Sequence, residues 1–387
     1  MTKLTIFLTT SLLVFVLEAV SQSWTLVSLG TQDTLRSVYF RTQAVGFAVG
    51  DRFTFGGKGD SGVIYRTING GVNWTRTGQN FRSGINIYGR LNTIHCPSNL
   101  VCLAGGGADI NSPGLYPITY RTNNGGVNWT LQVHTGILGL WLSLTCLDAN
   151  TCYASNQQVY KSTDGGNNWS VLLGSAPGSG LNSIHCLNSA TCFAGGICND
   201  TSQCNPGGSG GWRGIIRKTV DGGATWPFLI TRTMKILRSI QFVGDTTGWA
   251  VGDSGIIIGT IDGGNNWAPQ ISGTGKNLRS VCFANKDSGW VVGDSGTILF
   301  TVDGGNNWNI QNSGVTRNLY SVHFPTPTLG YAVGAGGTML RYSPTVGIKP
   351  GKHRKGRLNA NIDIPGIDAR GKSVKDAPCR TCVLDSK

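Results

Sequence analysis

Short apolar stretches alternate with Gly and Asx turns along the chain, and the alternation recurs. The stretch Leu35-Arg36-Ser37-Val38-Tyr39-Phe40 returns as Leu91–Cys96, Trp141–Cys146, Leu181–Cys186, Leu237–Phe242, Leu278–Phe283 and Leu319–Phe324. After five intervening residues a second apolar run follows, as in Gly46–Gly50, Gly248–Gly252, Gly289–Gly293 and Gly330–Gly334. A third piece closes in a turn with Trp: Asn69–Trp74, Asn124–Trp129, Asp164–Trp169, Asp221–Trp226, Asp262–Trp267 and Asp303–Trp308. The central apolar residue of the first run falls at 38, 94, 144, 184, 240, 281 and 322, so the unit is about 41 residues, lengthened by three insertions. Four short β-rich runs in 40–45 residues mark a β-propeller blade, and seven copies predict an all-β, seven-bladed propeller.

Seven first runs are matched by only six turn-Trp pieces, because the seventh copy ends at Tyr342-Ser343-Pro344. Trp24-Thr25-Leu26-Val27 precedes the first Leu35. If that N-terminal strand joins the last blade, the ring closes and an exposed strand edge disappears. The reading is one propeller over residues 22–342, after a leader at 1–21 and before a tail at 343–387.

Four cysteine pairs have five residues between partners: Cys96/Cys102, Cys146/Cys152, Cys186/Cys192 and Cys198/Cys204. Zinc sites favour two to four intervening residues mixed with His, so no metal is expected and disulfides are. In three blades Cys/Cys occupies the positions that elsewhere read Phe40/Gly46, Phe242/Gly248, Phe283/Gly289 and Phe324/Gly330. The two positions are expected to face each other across a hairpin, where a ring covers a glycine or two thiols join. Cys198–Cys204 would staple the insertion around residues 195–211. Cys379 and Cys382 would form a terminal disulfide, and Cys282 is left over.

Lys3, the apolar stretch Leu4–Leu17 and the small residues Ala19-Val20-Ser21 have the layout of a cleaved secretory signal. At about 14 residues the stretch is short for a span of roughly 20, and no other run is long and apolar enough. A secreted chain, with no membrane span once the signal is removed, agrees with the disulfides. Gly at 58 of 387 residues, with 11 Trp, suits many tight turns. Net charge is +13, and Lys349, Lys352, Arg354, Lys355 and Arg357 form a basic run in the tail, suited to polyanion attachment. The only Glu is Glu18, inside the leader, so mechanisms needing a glutamate are excluded from the mature chain.

The third piece reads Thr-x-Asp/Asn-Gly-Gly-x-x-Trp in most copies; Thr219-Val220-Asp221-Gly222-Gly223-Ala224-Thr225-Trp226 carries the full Asp-box pattern. Asn69, Asn124, Asp164, Asp221, Asp262 and Asp303 are expected to cap backbone N–H groups of the turn while Trp packs over it. On these motifs, and on Ala250-Val251-Gly252-Asp253-Ser254-Gly255, the chain resembles the BNR/Asp-box propellers, most closely the photosystem II stability/assembly-factor-like repeat proteins. The resemblance spans about residues 24–342. It implies a non-enzymatic assembly chaperone with a basic surface and protein partners. The cysteine pairs and the tail depart from the family's usual pattern and suggest an extracellular offshoot.

Positions that differ among blades carry the functional expectation. Before the first strand stand Arg36, Asn92, Leu142, Asn182, Arg238, Arg279 and Tyr320; the three Arg are expected to form a cationic patch at the channel mouth, with Tyr320 among them. Asp51, Asp253 and Asp294 follow the second strand as turn acceptors or polar rim contacts. A hydroxyl recurs in every first strand (Ser37, Thr93, Ser143, Ser183, Ser239, Ser280, Ser321) and suggests an inter-blade hydrogen bond, not a nucleophile. His95, His185 and His323 share one repeat position in separate blades and are assigned to packing. Asn73, Asn128, Asn168 and Asn199 head formal glycosylation sequons. The expected molecule is a monomeric, cofactor-free binding scaffold for a protein or glycan, acidic where it meets the arginines, with no nucleic-acid partner. The alternative is an Asp-box glycoside hydrolase; sialidase-like members would need a Glu, whereas xyloglucanase-like members use paired Asp, for which Asp51 with Asp253 are candidates.

Overall fold

The computed structural model describes residues 21–52, 62–77, 88–109, 114–174, 179–199, 212–229, 231 and 233–345. Residues 1–20 of the leader, the tail from 346 with Cys379 and Cys382, and Cys204 lie outside them.

Seven four-stranded antiparallel sheets form the ring, six of them in simple up-and-down order of consecutive strands. The first blade comprises Thr34–Phe40, Gly46–Asp51, Gly62–Thr67 and Thr75–Thr77. Leu35, Val38 and Phe40 are buried on its first strand, and the second strand is buried from Gly46 to Gly50. That continuous burial follows from a position covered on both faces, here by the two neighbouring blades. The seventh sheet takes Leu319–Thr326, Leu329–Gly334 and Met339–Thr345 from the C-terminal side and Ser21–Leu26 from the other end. The two terminal strands pair from Ser21↔Thr345 to Leu26↔Leu340, with Trp24 opposite Tyr342. The ring is therefore closed by its own N-terminal strand.

First strands touch one another in a complete circle, and the recurrent hydroxyl explains how. Ser37 accepts from the Ile94 N–H, Thr93 from Leu144, Ser143 from Ile184, Ser183 from Ile240, Ser239 from Val281, Ser280 from Val322 and Ser321 from Val38, all at 3.2–3.3 Å. Each blade thus hands one hydroxyl to the next, a bond worth about 1 kcal/mol net.

Outside that circle four blades interlock with their neighbours through stacked rings. Phe40 stacks on Tyr331 of the preceding blade at 3.9 Å, Phe242 on Phe193 at 3.9 Å, Phe283 on Trp249 at 3.4 Å and Phe324 on Trp290 at 3.5 Å. Each ring also lies against its cross-strand glycine; a Cβ on Gly46 would come within 2.6 Å of Phe40. In the other three blades the same pairs are disulfides, Cys96–Cys102, Cys146–Cys152 and Cys186–Cys192, each with Cα atoms 4.0 Å apart. Cys198 is disulfide-bonded, and Cys204 of the expected pair lies outside the described residues. Cys282 is a free, buried thiol whose Sγ accepts from the Phe324 N–H at 3.3 Å.

Candidate functional site

Each first strand starts, and each second strand ends, on one face of the ring; the hairpins carrying the Cys or Phe/Gly pairs and the Asp-box turns lie on the other. Arg36 and Asp51 therefore share the first face. The described strands that flank the three insertions also end and begin on that face.

The sequence reading treated the Arg and Asp series as separate features, and the structure joins them. Arg36 pairs with Asp51, Arg238 with Asp253 and Arg279 with Asp294, each through Nε to Oδ1. The patch is thus not three bare cations: each arginine is the bulged residue after the Leu that pairs with Gly, its guanidinium reaches the Asp that follows that Gly, and the carboxylates neutralise much of the charge. A second bond runs from Arg238 Nη2 to Asp253 Oδ2 at 2.9 Å, while Arg279 engages its partner through Nε alone. Asn277 Nδ2 takes up the other Asp294 oxygen at 3.0 Å. Burial works to raise the Asp294 carboxyl, but Arg279 and Asn277 outweigh it and hold it below its ordinary value.

Blade seven replaces the ion pair by Tyr320 and Ala335. The Tyr320 ring lies between two guanidinium groups, Arg279 at 5.2 Å and Arg36 at 5.7 Å. Blades five, six, seven and one therefore carry a continuous arc of Arg238, Arg279, Tyr320 and Arg36. Cation–π contacts of this kind contribute about 0.5–1 kcal/mol each at half-exposed positions. Arg90 of blade two extends the arc; desolvation and then Arg36 push its pKa down, and among the described residues it makes no ion pair. Sequence reasoning missed Arg90, which stands one place before Leu91 where other blades carry Thr, Leu, Gly, Ile or Asn.

Two turns supporting the arc are stiffened. Ser254 and Ser295 adopt φ of 57° and 56°, which costs a non-glycine residue roughly 1 kcal/mol or more. Asn277 Oδ1 and Asn318 Oδ1 accept from their N–H groups at 3.0 and 2.9 Å and hold them there. On the remaining blades Asn92 and Asn182 donate to the Trp141 and Leu237 carbonyls, stitching neighbours together, and Leu142 is exposed. At this repeat position the charge falls on blades five, six and one, and blades two, three and four carry uncharged side chains.

Deeper in the channel, His95 and His323 come nearer than their separate blades suggested, because blade seven adjoins blade one. They flank Tyr39 with ring centroids at 4.8 and 4.6 Å. His323 Nδ1 accepts from the Phe40 N–H and His95 Nδ1 from Cys146, while Gln241 Oε1 fills the same role for Phe283. Desolvation lowers His95 to about 3 and His185 and His323 to about 4. Among the described residues no three His, Cys, Asp or Glu converge as metal ligands. Burial pushes the Cys282 thiol up to about 11, so it is not a nucleophile.

On the opposite face the box acids serve their turns. Asp262 Oδ1 accepts from the Asn266 N–H at 2.9 Å and Asp303 Oδ1 from Asn307 at 2.9 Å. Asn69 and Asn124 accept the equivalent bonds from Asn73 and Asn128.

A family model described as Photosynthesis system II assembly factor YCF48 matches residues 268–343. The solved structure of YCF48 bound to D1 peptide is similar with a TM-score of 0.62 at 20% identity, over 83% of this chain and 97% of that one. YCF48 from Cyanidioschyzon merolae gives 0.62 at 19%, over 83% and 99%. The GH74 enzyme of Niastella koreensis gives 0.60 at 15%, over 82% of this chain and 53% of the enzyme. No curated protein sequence matches the chain. The resemblance to photosystem II assembly-factor-like repeat propellers thus stands on a family match and on shared fold.

Proposed function

We propose that the chain is a secreted, non-catalytic scaffold that binds an acidic segment of a partner protein across the channel mouth. The observation that carries this reading is the Arg279–Tyr320–Arg36 sandwich, flanked by Arg238. An Nε-anchored guanidinium is held in one orientation yet keeps Nη donors for a carboxylate, so little side-chain entropy remains to be lost on binding. The similar protein bound to D1 peptide supports a polypeptide ligand for this fold.

The hydrolase reading has less behind it. The carboxylates of Asp51, Asp253 and Asp294 are each engaged by an arginine, and no glutamate follows Glu18.

The test is anisotropy with labelled ten-residue Asp/Glu-rich peptides and neutral controls at two salt concentrations, using the secreted chain. The chain is expected to bind the acidic set, more weakly in high salt, and Arg36→Ala/Arg238→Ala/Arg279→Ala to bind at least tenfold more weakly while remaining folded. Equal binding by the triple variant, or turnover of β-glucans abolished by Asp51→Asn or Asp253→Asn, overturns the reading.

A further inference from the structure

The Asp-box turns differ from one another in one respect that bears on modification. In blades three, five and six the box acid holds a neighbouring amide: Asn168 Nδ2 donates to Asp164 Oδ2, Asn266 to Asp262 and Asn307 to Asp303, each at 2.7 Å. In blades one and two the acid is replaced by Asn69 and Asn124. An amide presents NH₂ where the second carboxylate oxygen would be, so it offers no acceptor there. Asn73 and Asn128 keep their backbone bonds at 2.9 Å, but among the described residues their side-chain amides have no partner.

Those two residues also head Asn73-Trp74-Thr75 and Asn128-Trp129-Thr130, and both the Asn and the Thr are exposed. Asn168-Trp169-Ser170 is equally exposed, yet its amide is engaged. Asn266 and Asn307, also engaged, are followed at the second position by Ala268 and Asn309 and form no sequon. Loss of the box acid thus coincides with a free amide and a Thr acceptor motif in the same two blades.

We propose that Asn73 and Asn128 are N-glycosylation sites and that the Asp164 bond keeps Asn168 bare. This rests on the secretory reading above. In the step, Asn Nδ2 gives up one proton and bonds to the anomeric carbon of a sugar. The carbon–oxygen bond to a lipid-linked diphosphate breaks, its electron pair leaves with the diphosphate, and the released proton balances the charge of that leaving group. The acidic turn competes with transfer because it is local: donor and acceptor are four residues apart, and hairpins close in about 1–10 μs whereas chains emerge at about 5–20 residues per second. The two sites lie in adjacent blades on the face opposite the arginine arc, so glycans there leave the mouth open. The proposal does not extend to Asn199, whose Thr201 lies outside the described residues.

The experiment expresses the full chain in cultured animal cells, beside a version with residues 1–21 replaced by a host leader. Glycosidase treatment in heavy-oxygen water followed by peptide mass spectrometry reads occupancy at each Asn. Expected are high occupancy at Asn73 and Asn128, little at Asn168, and at least a threefold rise at Asn168 in Asp164→Asn. Bare Asn73 and Asn128 in the host-leader version overturns the proposal, as does parental Asn168 occupied as fully as the other two or unmoved by Asp164→Asn. If the native-leader chain stays inside the cell unmodified while the host-leader version carries glycans at Asn73 and Asn128 alone, the secretory reading fails and the site assignment stands.

Discussion

Trp24 meets Phe324 edge to face, with ring centroids 5.8 Å apart and planes at 88°. The same geometry joins the box tryptophans to their own blades, Trp74 to Phe40 at 5.7 Å and Trp308 to Phe283 at 5.8 Å. Its indole bond matches that of Trp308: Trp24 Nε1 donates to Gln311 and Trp308 Nε1 to Gln270, each in the preceding blade, whereas Trp74 and Trp267 donate to glycine carbonyls of their own turns. Trp24 therefore stands in for the turn tryptophan that blade seven lacks. Trp24→Ala is expected to destabilise by about 3–5 kcal/mol, and Trp24→Phe by less. Urea unfolding measures both; a loss below 1 kcal/mol for the alanine variant means the terminal strand is not what secures the ring.

Disulfide and Phe/Gly are two solutions to one packing position, which predicts that they can be exchanged. Cys96–Cys102 is the best place to try, because Phe47 and Trp129 already stand edge to face beside it at 5.8 Å. Cys96→Phe/Cys102→Gly is expected to stay within about 1–2 kcal/mol of the parent, since a stacked ring replaces a short loop closure worth roughly 2 kcal/mol. Cys96→Ala/Cys102→Ala loses both. Equal melting of the two double variants would show that the positions are not interchangeable.

The ring, its closure and the three sulfur pairs were legible because each rests on a repeat: Ser37 and its six counterparts occupy one register, and so do Phe40/Gly46 and the cysteines. What the sequence concealed is cross-strand and cross-blade. Arg36 and Asp51 are 15 residues apart and meet only through the hairpin and the bulge at Arg36. Tyr320 is sandwiched by residues from blades six and one, a contact that no one-dimensional spacing encodes. Separate blades likewise suggested distance between His95 and His323, until closure made blades seven and one neighbours.

At the mouth, Asp294→Asn removes the charge opposing Arg279 while leaving an oxygen for one of its two donors. Acidic peptides are expected to associate several-fold faster with this variant, with a steeper fall in added salt. The stability loss is expected to be no more than about 1 kcal/mol, because the pair is partly exposed. Stopped-flow association at two ionic strengths gives the answer; slower binding would mean that Asp294 is needed to orient Arg279 more than it screens it.

The channel histidines supply a pH dependence whose sign is fixed. His95 and His323 titrate near 3 and 4 in the fold, below the ordinary 6.5 of the unfolded chain. Between those values the unfolded state binds more protons, so their stabilisation is complete above pH 6.5 and is lost as pH falls toward 4. Box carboxylates such as Asp262 and Asp303, held near 2 by bonds from Asn266 and Asn307, give way only lower down, which leaves the window to the imidazoles. Arg41 and His185 add repulsion toward a protonated His95. Gln241 shows the remedy, since its amide oxygen accepts the same kind of N–H at 2.6 Å without titrating. His95→Gln/His323→Gln is therefore expected to match the parent at pH 8 and to exceed it at pH 4.5, with His134 and His185 preserving a residual slope. Denaturation midpoints across that range test it. Parallel profiles for parent and variant would place the acid sensitivity elsewhere, and a loss at pH 8 would show that the imidazole rings are needed for their stacking on Tyr39 and not only as acceptors.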